Sequence, residues 1–331
     1  VTPRRLGYLY GIGAYLLWGF FPLYLKLLQP AGPLEILAHR IVWSVVFVAL
    51  VLAALRNVGF LRALLRRPRA LAGIGAAAAL IALNWGTYIH GVNSDRVVET
   101  ALGYFINPLV VVLLGVFVLR ERLRPAQWVA LGVGGAAVAV LTVDYGRLPY
   151  LALVLAFSFA GYGLVKKRLG LPAAEGLFVE SAVLALPALG YLLWLGGVGG
   201  AAFGAVSAGH TALLVAAGAA TAIPLLMFAG AANRLPLTSL GMIQYLAPIL
   251  QLACGVLVFH EPMPPARLAG FALVWLALAI FTTDAVRSAH RQRRVRNRRA
   301  GPAPAPRDIA VSVAASPGSP PLSGRKLPDR G

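Results

Sequence analysis

Charge is scarce in this chain. Of 331 residues only 12% are Asp, Glu, Lys or Arg, while 59% are apolar, and the mean hydropathy is +0.77. An ordinary soluble domain is about 45–50% apolar, so this balance excludes a soluble enzyme. It also excludes a chain disordered throughout, which would be poorer in apolar residues. Acidic residues are scarcer still: 11 face 30 Lys and Arg, for a net charge of +19. Cysteine is almost absent. Cys254 stands alone, which rules out a disulfide framework and a Cys-based zinc site. Catalytic signatures are missing too: there is no H-E-x-x-H, G-x-S-x-G, P-loop or G-x-G-x-x-G. His260-Glu261 runs into Pro262-Met263-Pro264, which cannot form a zinc-binding helix. The expectation is therefore no enzyme, no catalytic residue, no metal and no cofactor.

What the chain does have is long, charge-poor apolar runs. A transmembrane helix needs about 20 such residues. Ten runs qualify: 7–28, 33–56, 70–92, 99–119, 126–143, 147–166, 174–194, 210–232, 236–259 and 266–285. They do not alternate polar with apolar, so they predict helices rather than barrel strands. The fold class expected is an all-α membrane protein. Arg4 and Arg5 before the first run resemble a signal peptide, but the run is too long and lacks a small-residue cleavage site. We read it as an uncleaved span.

The loops sort the charge. One side receives Arg4, Arg5, Arg56, Arg62, Arg66, Arg67, Arg69, Arg120, Arg122, Arg124, Lys166, Lys167, Arg168 and Arg234. The other receives Arg96, Arg147 and Arg267. The positive-inside rule then places both termini in the cytoplasm, which an even span count satisfies. Residues 286–331 change composition to Pro, Ala, Ser and Arg, and predict a disordered cytoplasmic tail with eleven basic and two acidic residues. Its first stretch, Arg287 to Arg299, reads as a topology anchor, or as a site for anionic lipid head groups. No aromatic is interleaved to stack a base, so nucleic acid is not expected as a partner.

A shift of 140 residues superposes landmarks: Tyr10 on Tyr150, Lys26 on Lys166, Glu35 on Glu175, Asn93 on Asn233 and Pro108 on Pro248. Further on, Glu121 meets Glu261, Pro125 meets Pro265, and Thr142 and Asp144 meet Thr282 and Asp284. Matches of Pro, Glu, Asn and Asp at one offset point to a duplication, 7–144 and 147–285. Five spans is an odd number, so the second copy enters from the opposite face. Such a 5+5 inverted repeat is typical of secondary transporters that rock one half against the other around a midplane site.

Polar groups inside spans are costly and tend to face a cavity or a partner. Arg40 lies about 10 Å deep in the second span. Its repeat mate is Glu180, of opposite charge. They either line one cavity and meet a zwitterionic substrate, or pair locally and snorkel. His39 and Glu180 are candidates to carry a coupling proton, and His90 is a weaker one. Asn84, Trp85 and Tyr88 form an amide–aromatic face in the third span. Tyr104, Asn107 and Pro108 in the fourth span echo Gln244, Tyr245 and Pro248 in the ninth. Each proline frees a carbonyl, and the pair marks a hinge, a binding site or curvature needed for packing. Ser158 and Tyr162 lie mid-way along the sixth span. Glu121 and Glu261 are placed to satisfy free helix-terminal amides.

These residues carry a resemblance. Glu35-Ile36-Leu37-Ala38-His39-Arg40-Ile41-Val42-Trp43-Ser44 and Leu102-Gly103-Tyr104-Phe105-Ile106-Asn107-Pro108 resemble stretches of the RarD family of the drug/metabolite transporter superfamily, which has two EamA-type halves. Leu155 to Val165, Ile223 to Leu226, residues 240–248 and Trp275 to Phe281 resemble it too. The resemblance spans about residues 7–287. It implies an inner-membrane permease, an exporter driven by the proton gradient. The partners expected are a small-molecule substrate and the lipid bilayer, with a monomer sufficient. The alternative is a membrane sensor or scaffold that binds without moving its ligand.

Overall fold

The computed structural model describes residues 2–54, 68–120, 123–169 and 173–299. Among the described residues there is no strand. The helices are α1 (Pro3–Gly19), α2 (Phe21–Leu27), α3 (Pro33–Ala54), α4 (Pro68–Asn93), α5 (Val97–Leu119), α6 (Pro125–Tyr145), α7 (Tyr150–Leu169), α8 (Ala173–Gly197), α9 (Ala208–Ala232), α10 (Leu237–Ile243), α11 (Leu246–Ala253) and α12 (Pro265–Arg299). A π-helical turn, Cys254–Val258, extends α11.

Local sequence explains the ends. Pro33, Pro68, Pro125 and Pro265 each open a helix, where the missing N–H is no loss. The Ser207 hydroxyl accepts from the His210 amide at the start of α9. Gly146 closes α6 in the left-handed region, φ 64°. Phe20 and Pro22 divide the first apolar run, so that α1 and α2 meet at a 43° bend.

Eight described helical stretches are long and apolar enough to cross a membrane, and the bent α1–α2 pair makes a ninth. They match nine of the ten expected runs. The remaining run, 147–166, forms a helix whose apolar part, Tyr150–Lys166, is shorter. The ninth expected span is the apolar stretch Ser239–Val258, long enough to cross, with a turn at Gln244-Tyr245 three residues before Pro248. The tail expectation is corrected in part. Residues 286–299 continue α12 as helix, because Ala, Gln and Arg are good helix formers and no Pro or Gly interrupts them before Gly301. The rest of the expected tail, 300–331, lies outside the described residues.

The helices of the first half seat themselves mainly on helices of the second. α3 packs on α8 and α9, α4 on α7, α5 on α7 and α11, and α1 on α9 and α11. Val1–Val286 is one compact unit. The larger helix–helix contacts therefore run between 7–144 and 147–285 rather than within either.

At the α3–α9 seam the two backbones approach closely. A Cβ on Gly218 would run into the Trp43 carbonyl and the Ser44 amide. Gly218→Ala is therefore expected to lower the melting temperature in detergent, by overpacking worth about 1–3 kcal/mol. Gly190→Ala in α8, where a Cβ meets nothing within 4 Å, is the control. It should gain up to about 1 kcal/mol of helix propensity. Equal melting shifts in the two variants would mean that the seam is loose.

Candidate functional site

Arg40 lies in α3, eight positions into the helix, and is only 5% exposed. Its guanidinium carbon sits 4.6 Å from the Trp85 ring centroid and 4.9 Å from that of Phe21. Two aromatic faces thus hold it by cation–π attraction. Nε donates to the Thr221 hydroxyl at 3.0 Å, and that hydroxyl donates onward to the Ala217 carbonyl at 2.8 Å. No ion pair among the described residues involves Arg40.

Around it stands a run of rings. Phe21 stacks on Tyr88 at 6.4 Å, Tyr88 meets Tyr104 edge-on at 5.7 Å, Tyr104 meets Phe159 at 6.2 Å, and Phe159 meets Tyr162 at 6.1 Å. The Tyr88 hydroxyl is buried without a hydrogen-bond partner among the described residues. Asn84 is fully engaged: Nδ2 donates to the Leu155 carbonyl and the Ser158 hydroxyl, each at 3.0 Å, and Oδ1 accepts from Tyr104 at 3.3 Å. This knot fixes α4, α5 and α7 against one another. It positions Tyr104 rather than leaving amide groups free for a ligand.

At the far end of the ring series, Tyr162 donates to Glu180 at 3.0 Å. Glu180 is 1% exposed and pairs with Lys166 at 2.7 Å. Of the two readings of Glu180, the structure shows local pairing: Lys166, fourteen residues upstream on α7, neutralises it.

The other expected residues are placed less centrally. Asn107 donates to the Ala156 carbonyl at 3.1 Å, beside Pro108 inside an unbroken α5. Tyr245 borders an apolar groove of about 470 Å³ with Phe105, Met242, Ile249 and Trp275. No described contact ties Gln244 or Tyr245 to the Arg40 cluster. His39 accepts from the Trp43 indole at 3.2 Å and stacks on Phe203 at 4.7 Å, away from the ring series. His90 is exposed.

Two residues of the cluster were not anticipated, Phe21 and Thr221. The only trace of Thr221 in the sequence is one hydroxyl in an otherwise apolar run.

The end of the bundle nearest Arg40 is densely tied. Glu35 accepts from the Ala202 and Phe203 amides. Glu99 pairs with Arg96 and Arg147 at 2.7 and 2.9 Å. Glu261 accepts from the Val97 and Val98 amides at the start of α5. It satisfies helix-terminal amides as expected, though across the halves. Glu121 lies outside the described residues.

Burial pushes the Glu261 carboxyl up, and the Val98 and Val97 amides pull it back only in part. A carboxyl raised above its unfolded value holds its proton more tightly in the folded chain. The folded state then gains as pH falls through that raised value, and the gain is lost as pH rises through it. The melting temperature of the wild type is expected to rise relative to Glu261→Gln between about pH 7 and about pH 5. A constant difference would show an unshifted carboxyl.

Comparison with known proteins fits this geometry to a family. Residues 5–143 match the EamA-like transporter family. The protein named Protein RarD from Streptomyces exfoliatus is 55% identical over 292 residues, covering 88% of this chain and 93% of that protein. The chain belongs to the RarD family of EamA-type transporters. An uncharacterized transporter, YojE, from Bacillus subtilis (strain 168) is 46% identical over 86% of this chain and 96% of its own length. A solved crystal structure aligns with a TM-score of 0.52 at 22% identity, covering 84% of this chain and 98% of that one. That likeness shows the fold alone. This RarD-family chain is thus a multi-pass membrane protein of a transporter family, and the Arg40 cluster sits inside its helical core.

Proposed function

We propose that the chain is a secondary active transporter, an exporter. It moves a small amphipathic or zwitterionic metabolite or drug across the cytoplasmic membrane by alternating access, driven by the proton gradient. In this reading ten spans form a 5+5 inverted repeat, both termini are cytoplasmic, and the basic tail meets anionic lipid. His39 and Glu180 are the groups available to carry a proton, and Pro108 and Pro248 are the hinges.

The observation that carries the reading is a buried cation in an aromatic cage assembled by both halves. Phe21, Arg40 and Trp85 come from the first half and Thr221 from the second. A site split between two repeats is one whose exposure can switch sides when they shift.

The packing supports the repeat. If α1, α3, α4, α5 and α6 are exchanged for α7, α8, α9, α11 and α12, the helix pairs map onto one another. The α4–α7 pair becomes α9–α1, α5–α7 becomes α11–α1, and α3–α9 becomes α8–α4. The α3–α8 and α5–α11 pairs map onto themselves. Reciprocal contacts of this kind are the mark of a two-fold relation. The Asp144 and Asp284 mates follow it. Asp144 at the end of α6 pairs with Arg267 in the first turn of α12 at 2.8 Å, and Asp284 of α12 pairs with Arg124 at the start of α6 at 2.7 Å. The moving bodies are then groups of helices drawn from both halves.

The test compares metabolites inside and outside cells that lack or overproduce the protein. Overproduction should lower the internal pool of at least one small amphipathic compound and raise it outside. A protonophore should abolish the difference. Identical profiles would overturn export, and a difference that survives full collapse of the gradient would overturn proton coupling.

A further inference from the structure

Resting on the transporter reading, we propose that the Arg40 cage selects an organic anion: a small monocarboxylate, or comparable monoanion, with an aromatic or flat apolar body. A zwitterion would need an anionic and a cationic subsite. The carboxylate best placed to supply the latter, Glu180, already holds Lys166 at 2.7 Å and the Tyr162 hydroxyl at 3.0 Å. Glu35 and Glu99 are likewise spent, the first on two loop amides and the second on two arginines.

Arg40 is different. Among the described residues it is the one buried guanidinium or ammonium, and no carboxylate pairs with it. An uncompensated buried charge is unfavourable. Trp85 and Phe21 offset part of the cost through their faces. Their ring centroids lie 4.6 and 4.9 Å from the guanidinium carbon, and Thr221 takes Nε. No described hydrogen bond uses Nη1 or Nη2, whose parallel N–H bonds match a carboxylate.

A second donor is at hand. Among the described residues the buried Tyr88 hydroxyl has no partner, and its ring stacks at 6.4 Å on Phe21, whose centroid is 4.9 Å from the Arg40 guanidinium carbon. A carboxylate at the Nη edge can accept from it as well. Beyond it the rings of Tyr104 and Phe159 offer an apolar surface for the rest of the molecule. Charge and shape together thus specify an amphipathic anion, held by its charge at the Arg40 end and by its body along the rings.

The test uses three probes of one shape and different charge: 3-phenylpropionate, phenylalanine and phenethylamine. Each is titrated against the full-length protein in detergent at neutral pH, and the melting temperature is read. 3-Phenylpropionate is expected to stabilise saturably, at a concentration at least about tenfold below that needed for phenylalanine. Phenethylamine should have no effect. Arg40→Gln should weaken the anion at least about tenfold, and Thr221→Val, which keeps the charge, should weaken it less.

Stabilisation by phenethylamine equal to that by the anion would overturn the proposal, as would stabilisation by none of the three. The ranking on the wild type decides the matter even if Arg40→Gln does not fold. Flux of the same probes in proteoliposomes separates this inference from the reading beneath it. Saturable anion binding without flux would overturn transport and leave the anion site standing. Flux without charge preference would overturn the anion site and leave transport standing.

Discussion

Arg40→Met is expected to raise the melting temperature of the protein while removing its transport. The two effects point in opposite directions because Arg40 is a buried cation that pairs with no carboxylate among the described residues. Replacing buried charge by an apolar side chain of similar volume is often neutral or stabilising, by about 1–4 kcal/mol. Methionine is flexible enough to fill the slot between Trp85 and Phe21. Flux should fall by about 30-fold or more, since losing a buried charged contact costs about 2–5 kcal/mol and about 1.4 kcal/mol is tenfold. Arg40→Lys should recover little of it. An ammonium has neither the planar fork nor the stacking surface that two aromatic faces hold. Thermal melts of purified protein and flux in proteoliposomes read the two halves of the expectation separately. A variant that melts lower and still transports would make Arg40 a structural residue, with the aromatic cage serving only to shelter its charge.

Much of this site could be read in advance. Polar groups in apolar runs are conspicuous, so Arg40, Asn84, Tyr88, Tyr104 and Ser158 stood out, and the structure brings them into one cluster. What escaped was partnership. Lys166 was counted with the cytoplasmic charges, because it closes an apolar run. Yet α7 carries it to Glu180 across a helix boundary that no local pattern reveals. Phe21 and Thr221 escaped for the opposite reason. A phenylalanine and a single hydroxyl are unremarkable in spans of this composition, and only the packing of α2 and α9 around α3 gives them a role. Gln244 and Tyr245 show the limit of repeat arithmetic. They match Tyr104 and Asn107 in type, but they sit in the turn between α10 and α11, and Tyr245 borders the α12 groove. The bend in the first span escaped similarly. Gly19-Phe20-Phe21-Pro22 reads as the interior of an apolar run, whereas Pro22 lies in the first turn of a new helix.

Glu180→Gln is expected to abolish accumulation driven by a proton gradient while sparing exchange of substrate at equal concentrations. Glu180 is the buried carboxylate at the Tyr162 end of the ring series, so protonating it would release Lys166 and the Tyr162 hydroxyl together. That is a switch of the kind proton coupling requires. The substitution also carries a structural effect that must be separated out. Removing one partner of a buried pair costs about 3–5 kcal/mol when the survivor stays buried. Lys166 is about 20% exposed, and its long stem lets the ammonium snorkel towards the interface, so the loss should fall below that range. Adding Lys166→Met to Glu180→Gln removes the stranded charge and should restore most of the melting temperature, with a coupling energy measurable in a double-mutant cycle. Gradient-driven flux should stay lost in the double variant, because no proton acceptor has been returned. If it came back with the stability, Glu180 would be no more than the counter-ion of Lys166, and the coupling proton would have to be sought at His39, beneath the Phe203 loop.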